Sequence, residues 1–264
     1  MTGRAPRPPQ RGIQSIEVGG ALLQGLVAAG APLPLRELAQ RAGMTSAKAH
    51  PYLVSFGKLG LIEQDPLTGR YSLGPFALQL GLVSLQLLQP VRIAVPAITA
   101  LGEAIGHTVA LAVLGTHGPT IVYIHESTRP IHVNMRAGTV MSTVNTATGR
   151  VFSAYLPAKA ALHLIARELK DAAVTAHETA RLTKSAFDAL VADVRAHRMA
   201  RAVGEPIPGI NALSAPVFDH SGALVLAVTS LGPAGSFDAA WDGDLARRLA
   251  ACAGEISRRL GAAA

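Results

Sequence analysis

The sequence predicts an α+β protein with an N-terminal winged helix-turn-helix, a linker helix and a C-terminal mixed α/β domain. Its first 75 residues contain three short helical patterns followed by two short strand patterns. A mostly apolar helical pattern follows at residues 76–89. Strand and helix patterns then mix without a regular βαβ repeat, which favours α+β over doubly wound α/β. They include a strand and turn in PIHVNMRAGTVM and a terminal amphipathic helix from Ala239, with Trp241 near its start as a packing anchor. The 264 residues suffice for one large or two ordinary domains.

The three N-terminal helical patterns have recognisable ends. Apolar residues recur at helical spacing from Ser15 until Gly30, which is a typical helix stop. Pro34 suits the first position of a second helix, and Gly43 suits the left-handed position after its last turn. Thr45 is a good N-cap for a third helix. Two short helices joined by a tight turn at Gly43 constitute a helix-turn-helix.

The third helix carries the first candidate DNA contacts. A helix-turn-helix places the first residues of its second helix against base edges in the major groove. In this chain those residues include Thr45, Ser46, Lys48 and His50. Pro51 lies in the same helix, where a proline removes one backbone hydrogen bond and costs roughly 3 kcal/mol. A kink at Pro51 and a looser first turn are both compatible with the sequence.

A hairpin is predicted after the third helix. The strand-like stretches LIEQ and RYSLG flank the turn DPLTG, and a hairpin at this place makes the motif a winged helix. Arg70 at the base of the hairpin and Arg11 at the start of the domain are candidate phosphate contacts. We expect the winged helix to occupy residues 11–75. Its candidate DNA-binding residues are Arg11, Thr45, Ser46, Lys48, His50 and Arg70.

The charge distribution agrees with a nucleic-acid partner. The chain has a formal net charge of +7, and its first 75 residues hold eight Lys or Arg against four Asp or Glu. A basic surface attracts acidic partners, and nucleic acid is the first of these to consider. Residues 1–10 include two Arg and three Pro, which predicts a short disordered basic arm.

Several other classes of protein are disfavoured. The single cysteine, Cys252, excludes an intrachain disulfide and agrees with a reducing cytoplasm. We expect a cytoplasmic protein without a membrane segment, because no long apolar run and no signal peptide pattern is present. Nucleophile-elbow, P-loop and Rossmann patterns are absent. We expect no catalytic residue, cofactor or metal, because His107, His125 and His132 are not paired at helical spacing.

One polar turn in the second domain suggests ligand chemistry. In the stretch STVNTATGRVFSAYL, this turn leads into a helix that is predicted to begin near Thr148. Free amides and the dipole at a helix N-terminus favour an anion. Thr146 and Thr148 add hydroxyl donors, and a carboxylate would suit such a site. Simple N-capping by either threonine is the alternative explanation.

Four stretches of the chain, in this order, resemble the IclR family of bacterial transcription regulators. They are RGIQSIEVGGALLQGL, LRELAQRAGMTSAKAHPYLVSFGKLGLIEQDPLTGRYSLGP, GTVMSTVNTATGRVFSAYLP and GINALSAPVFDHSGALVLAVTSLGP. The resemblance implies a linker helix at residues 76–89 and a GAF-like effector-binding domain at residues 90–264. It implies an effector pocket formed by Ala147, Thr148, Ala202, Ala212, Thr229 and Leu231. The chain departs from the family pattern at Pro51, where a basic residue is usual, and at residues 198–200, where Gly-Tyr-Ala is usual.

Together these features predict a homo-oligomeric, DNA-binding regulator of a catabolic operon. We expect a small organic acid to bind the second domain and alter affinity for operator DNA. It should be partly apolar, with aromatic acids included, rather than very small and polar. The apolar linker helix is expected to pack against a second subunit, or alternatively on its own domain. Two other functions stay open: a ligand-binding protein whose DNA binding is weakened by Pro51, and an enzyme acting on a small carboxylate.

Overall fold

The chain folds into two compact units, Met1–Leu88 and Gln89–Ala264. The computed structural model describes residues 12–87, 89–127, 135–174 and 184–263. The predicted basic arm at residues 1–10, together with Arg11 and His132, lies outside the described residues. Within these ranges, no helix is long and apolar enough to cross a membrane.

The first unit is a winged helix-turn-helix followed by one further helix. Its elements are α1 (Gln14–Ala29), α2 (Leu35–Arg41), α3 (Ser46–Lys58), β1 (Ile62–Gln64), β2 (Tyr71–Leu73) and α4 (Pro75–Leu87). Strands β1 and β2 are antiparallel, with Glu63 opposite Ser72. Leu33 adds a single bridge to Tyr71. The predicted three helices and hairpin are therefore confirmed.

A small apolar core holds the helices and the hairpin of this unit together. Leu22 and Leu38 are fully buried, and Leu53, Ile62 and Tyr71 are nearly so. A fully buried leucine contributes roughly 1.5–3 kcal/mol relative to an exposed one. Because Leu53 fixes the side of α3 that faces the core, the opposite side of α3 is left for solvent or a partner.

Local turn chemistry sets the ends of these helices. Gly43 (φ 66°) adopts the left-handed conformation predicted for it, and Gly30 (φ 62°), the predicted stop of α1, is left-handed as well. Thr45 caps α3, because its Oγ1 accepts a hydrogen bond from the backbone N–H of Lys48 at 3.3 Å. The prediction for Pro34 was wrong in its position. Pro34 is the extended N-cap residue of α2, with φ −71° and ψ 153°, and not its first helical residue.

Helix α3 runs through Pro51 without interruption. Pro51 is exposed, and its carbonyl oxygen accepts a hydrogen bond from Ser55 Oγ at 3.0 Å. The proline therefore neither ends the helix nor enters the core. Its cost is limited to the backbone hydrogen bond that it cannot donate.

The second unit is a five-stranded antiparallel sheet with helices on both faces. Its elements are α5 (Pro90–Ile105), β3 (Thr108–Gly115), β4 (Gly118–His125), α6 (Ala147–Tyr155), α7 (Ala158–Val174), α8 (Lys184–His197), β5 (Ala200–Val203), β6 (Ile210–Phe218), β7 (Leu224–Pro233) and α9 (Asp244–Arg259). The strand order is β4-β3-β7-β6-β5. This architecture confirms the predicted α+β class.

Small side chains let α6 approach one face of the sheet closely. Ala110 and Ala227 of the central strands are fully buried against Val151 and Phe152 of α6. Helices α5 and α9 pack against each other and cover the opposite face. Because side chains alternate along a strand, each central strand contributes to both layers.

Three details of the second unit differ from the sequence-based expectation. Strand β5 was not predicted, since only four residues form it. Helix α9 begins at Asp244 because Gly243 is its extended N-cap, so Trp241 precedes the helix instead of lying inside it. Trp241 is nevertheless a packing anchor, stacked on the His197 ring at 4.0 Å between centroids. In the predicted strand PIHVNMRAGTVM, residues 128–134 are outside the described ranges, and Val140 makes an isolated bridge to Thr120.

Candidate functional site

The N-terminal half of α3 carries several polar side chains that solvent can reach. Thr45, Lys48 and His50 are exposed, and Ser46 is half-buried. Ala49, on the core side, is fully buried. The structure therefore brings four of the six predicted DNA contacts onto one turn and a half of helix. Free donors at the start of an exposed helix are what contact with base edges and phosphates requires.

The hairpin after α3 has a well-ordered tip. Asp65 Oδ1 accepts hydrogen bonds from the backbone N–H of Leu67 at 2.7 Å and of Thr68 at 3.2 Å. These bonds hold the pKa of Asp65 below its usual 3.8. Arg70 is exposed at the base of the hairpin, where its Nη1 donates to the carbonyl oxygen of Pro32 at 3.1 Å. The guanidinium thus braces the loop before α2 while its other N–H groups stay available.

The second unit contains a cavity of about 70 Å³ between α6 and the sheet. All six residues predicted for an effector pocket line it: Ala147, Thr148, Ala202, Ala212, Thr229 and Leu231. They come from α6, β5, β6 and β7, so residues far apart in the chain meet at one place. The other described residues around the cavity are Met135, Met141, Thr146, Glu205, Pro206, Ile207 and Ile210.

Helix α6 begins at this cavity. Thr146 is its N-cap, with Oγ1 accepting from the backbone N–H of Gly149 at 3.0 Å, so the capping explanation holds for Thr146. Thr148 is not the cap; its hydroxyl group is hydrogen-bonded to the hydroxyl group of Thr229 at 2.8 Å. The Thr229 hydroxyl donates in turn to Ser214 Oγ at 2.8 Å. A buried chain of three hydroxyl groups therefore runs from α6 into the sheet.

Close backbone packing fixes the loop before α6. A Cβ atom at Gly149 would overlap the carbonyl oxygen of Ser142, so only glycine fits there. Glu168 of α7 holds the same loop, because its carboxylate accepts from the hydroxyl groups of Ser142 and Thr143 and from the Thr143 N–H at 2.7 Å. The threonines of the cavity are thus attached to a rigid loop.

Arg150 connects three segments around the cavity, a role that no local sequence pattern indicates. Its Nε donates to the Val144 carbonyl at 2.8 Å and its Nη1 to the Arg201 carbonyl at 2.6 Å. Its Nη2 lies 3.3 Å from Glu205 Oε2. Among the described residues that line the cavity, Glu205 is the charged one. The lining is otherwise apolar or hydroxyl-bearing.

The described residues offer little for catalysis. Burial raises the pKa of Cys252 to about 11, and the nearby Glu255 adds to the shift, so its thiolate is scarce at neutral pH. No group of three or more His, Cys, Asp or Glu in the described ranges is placed to hold a metal ion. His132, one member of the histidine set considered above, lies outside those ranges.

Two family models match the chain: the IclR helix-turn-helix domain over residues 15–66 and the bacterial transcriptional regulator IclR C-terminal domain over residues 83–258. The glycerol operon regulatory protein of Streptomyces griseus is 30% identical over 256 residues, which cover 96% of this chain and 98% of that protein. The transcriptional repressor IclR of Escherichia coli is 26% identical over 166 residues, covering 62% of this chain and 61% of that protein.

Crystal structures with the same architecture lead to the same family. Pseudomonas aeruginosa HmgR superposes with a TM-score of 0.85 at 33% identity, covering 95% of this chain and 99% of that one. The Agobacterium tumefaciens repressor BlcR shares the fold, with a TM-score of 0.75 at 20% identity over 96% and 99% of the two chains. The family consists of DNA-binding regulators and not of enzymes. The chain belongs to the IclR family of bacterial transcriptional regulators.

Proposed function

We propose that this regulator controls a catabolic operon by binding operator DNA through α3 and the hairpin, and that a small organic acid in the α6 cavity changes its affinity for that DNA. In this proposal, Ser46, Lys48 and His50 approach bases. Thr45 caps the helix, while Arg70 and Arg11 hold phosphates. The observation that carries the effector site is the meeting of six residues from four separate elements around one cavity.

The cavity favours a short acid over a large one. Its volume of about 70 Å³ is less than half of the roughly 150 Å³ that accommodates benzene in an engineered protein cavity. A carboxylate at the start of α6 meets the N–H groups of Ala147 and Thr148, for which no partner is found among the described residues. The methyl and methylene groups of Ala202, Ala212 and Leu231 suit an aliphatic remainder. An aromatic acid would extend beyond this volume toward the open side of the cavity, where Glu205 is exposed.

A small neutral polyol is the second candidate effector. The observation in its favour is Glu205, since a carboxylate at the cavity wall opposes an anionic ligand and accepts hydrogen bonds from hydroxyl groups. A related protein of Streptomyces griseus is a glycerol operon regulatory protein. The residues that line the cavity are compatible with both classes of ligand, so an experiment must separate them.

We propose that the functional form is a homo-oligomer joined in part through α4. This helix carries no charged residue, and Leu78, Leu82 and Val83 are more than half exposed within the first unit. A contiguous apolar surface of this kind is typical of an obligate interface. Two copies place two α3 helices on a palindromic operator. The effector can change DNA affinity only if its own affinity differs between the arrangement of the assembly that binds DNA and the arrangement that does not.

Ligand-induced thermal shift, paired with DNA binding, tests the effector proposal. Short aliphatic acids and their neutral polyol counterparts are added to the full chain, and the ligand that binds raises the melting temperature. The matched variants are Thr229→Val, which breaks the hydroxyl chain, and Ser230→Ala, which changes the next residue on the opposite face of β7. The proposal requires that Thr229→Val loses the shift and Ser230→Ala keeps it. Equal shifts in both variants place the ligand elsewhere.

The same titration on a DNA complex tests the regulatory role. The DNA is a duplex from the region upstream of the protein's own coding sequence, compared with a scrambled duplex. An acid that raises the melting temperature must also change affinity for the upstream duplex. A ligand that stabilises the protein and leaves DNA affinity unchanged, or a protein that binds neither duplex, favours the sensor with weakened DNA binding. Conversion of the added acid to a product indicates the enzyme.

A further inference from the structure

An open cleft lies in the first unit between α2 and the start of α3. Its volume is about 570 Å³, much larger than that of the cavity in the second unit. The residues that line it are Arg36, Gln40, Gly43, Met44, Thr45 and Ser46. Two of these, Thr45 and Ser46, belong to the set already assigned to DNA. Arg36 and Gln40 do not, and they form the other wall.

The geometry of α2 explains why Arg36 and Gln40 share a wall. Residues four apart lie above one another on the same face of a helix. Both side chains are exposed, while Leu38, two residues from each, is buried on the opposite side of α2. The pair therefore projects from the core of the unit toward the cleft.

Arg36 differs in its bonding from Arg41 and Arg70, the other arginines that the structure describes in this unit. Arg41 is ion-paired with Glu37 at 3.0 Å, and Arg70 donates to a backbone carbonyl. For Arg36, no hydrogen bond or ion pair joins its guanidinium to any residue in the described ranges. It is also the charged residue among the six that line the cleft. Five N–H donors on a cation thus face a cleft whose other polar groups are an amide and two hydroxyls.

We infer that this cleft holds a phosphate group of the DNA backbone, with Arg36 as its main donor and Gln40 as a second, uncharged donor. Arginine matches the planar geometry of phosphate oxygens and forms two parallel hydrogen bonds with them. The inference rests on the proposed DNA interface, because the cleft opens beside the α3 residues assigned to base edges. It adds a contact that positions α3 without reading sequence.

Salt-dependent DNA binding by a matched pair of arginine variants tests this contact. Arg36→Ala and Arg41→Ala remove the same charge from the same short helix, so a loss due to net charge alone is common to both. Binding is measured from low to moderate salt on the upstream duplex and on a scrambled duplex. Each phosphate contact contributes about 0.9 to the slope of log K against log salt. Arg36→Ala is expected to lower the slope by about 1 on both duplexes, and Arg41→Ala by much less.

Gln40→Ala provides a second readout that charge does not affect. We expect it to weaken binding several-fold on both duplexes while the salt slope stays unchanged, because the amide releases no counterion. Both side chains are exposed, so unchanged melting temperatures are expected and confirm that the variants fold.

Four results overturn the inference. If Arg36→Ala and Arg41→Ala have equal salt slopes, Arg36 contributes to DNA binding only through the net charge and not through a specific phosphate contact. A loss restricted to the upstream duplex makes Arg36 a base contact. If the wild-type protein binds neither duplex, the proposed DNA interface fails and this contact fails with it. If the wild type binds DNA and Arg36→Ala binds it equally well, only the Arg36 contact fails.

Discussion

The cleft beside α3 and the cavity beside α6 differ in how exposed their polar groups are and in how far those groups are bonded within the protein. Around α3, the Arg36 guanidinium and the Lys48 ammonium are exposed, and no hydrogen bond or ion pair joins either charged group to a described residue. Around α6, the Arg150 guanidinium donates to two backbone carbonyls and pairs with Glu205. The hydroxyl groups of Thr148 and Thr229 are hydrogen-bonded to each other. The first surface is open and charged, so its binding must depend on salt. The second is partly open, and its buried part is internally bonded, so its binding must depend more on shape.

This contrast predicts different responses to substitution. Changes at the cavity should alter the stability of the second unit and ligand binding, because each side chain there has protein partners. Changes at Arg36 and Lys48 should alter DNA affinity and leave stability intact, because no hydrogen bond or ion pair joins their charged groups to a described residue.

Gly149→Ala is expected to be the most damaging single substitution. Its Cβ atom would overlap the Ser142 carbonyl oxygen, and because that oxygen is backbone, the whole loop must move. We expect a loss of about 3 kcal/mol or more in the free energy of unfolding, measured by urea titration with the fluorescence of Trp241. Gly254→Ala in α9 is the control: its Cβ meets only Arg258 Nη1 at 3.7 Å. That variant should gain up to about 1 kcal/mol; equal behaviour of the two variants contradicts the close packing described.

Arg150→Met should cost about 2–4 kcal/mol, because two backbone carbonyls and Glu205 lose a charged donor at once. Glu205→Gln removes only the ion pair, and the Glu205 side chain is 68% exposed, so a loss below about 1 kcal/mol is expected. Chemical denaturation of both variants gives the comparison. Similar losses would show that the ion pair, and not the bridging of backbone segments, is what Arg150 contributes.

Lys48→Ala should lower DNA affinity and reduce the salt slope by about 1, with no change in melting temperature. Lys48 is exposed on the first turns of α3, and no hydrogen bond or ion pair to its ammonium group is found among the described residues. Lys58→Ala, at the far end of the same helix, is the matched control and should change the slope less. A slope that Lys48→Ala leaves unchanged removes the Lys48 ammonium from the charged contacts to DNA.

The smallest effect is expected at the hairpin tip. Backbone N–H groups of Leu67 and Thr68 lower the pKa of Asp65 below 3.8, so the ionised carboxylate stabilises the folded state. That contribution is fully present above pH 3.8 and is lost as the pH falls through the lowered pKa of the folded state. Asp65→Asn should therefore be slightly less stable than the wild type near pH 6 and equal to it in strong acid. A difference that is constant across the pH range contradicts this assignment.

The sequence predicted the DNA-binding unit well because its signals are local. Gly43 indicates a left-handed turn and Thr45 indicates a helix cap, and the bonds that these residues make lie within four positions along the chain. The hairpin is likewise set by turn residues. Pro51 was the exception: the sequence could not decide between a kink and a loose turn, and the structure has a continuous helix.

The cavity was harder to predict because its contacts are distant in sequence. The six residues around it came from the family resemblance and not from periodicity or spacing. Arg150 bonds to residues up to 55 positions away, and Thr148 meets Thr229 across 81. Strand β5 is only four residues long, too short for a clear alternation. No local pattern marks such meetings, which depend on the order of strands in the sheet.

The most direct test is the affinity of the full chain for a fluorescent upstream duplex, measured across a salt series with and without a stabilising short acid. The proposed account predicts that log affinity falls linearly with log salt, and that the acid shifts the affinity in the wild type but not in Thr229→Val. Affinity that does not respond to salt, or an acid effect that survives in Thr229→Val, would contradict it.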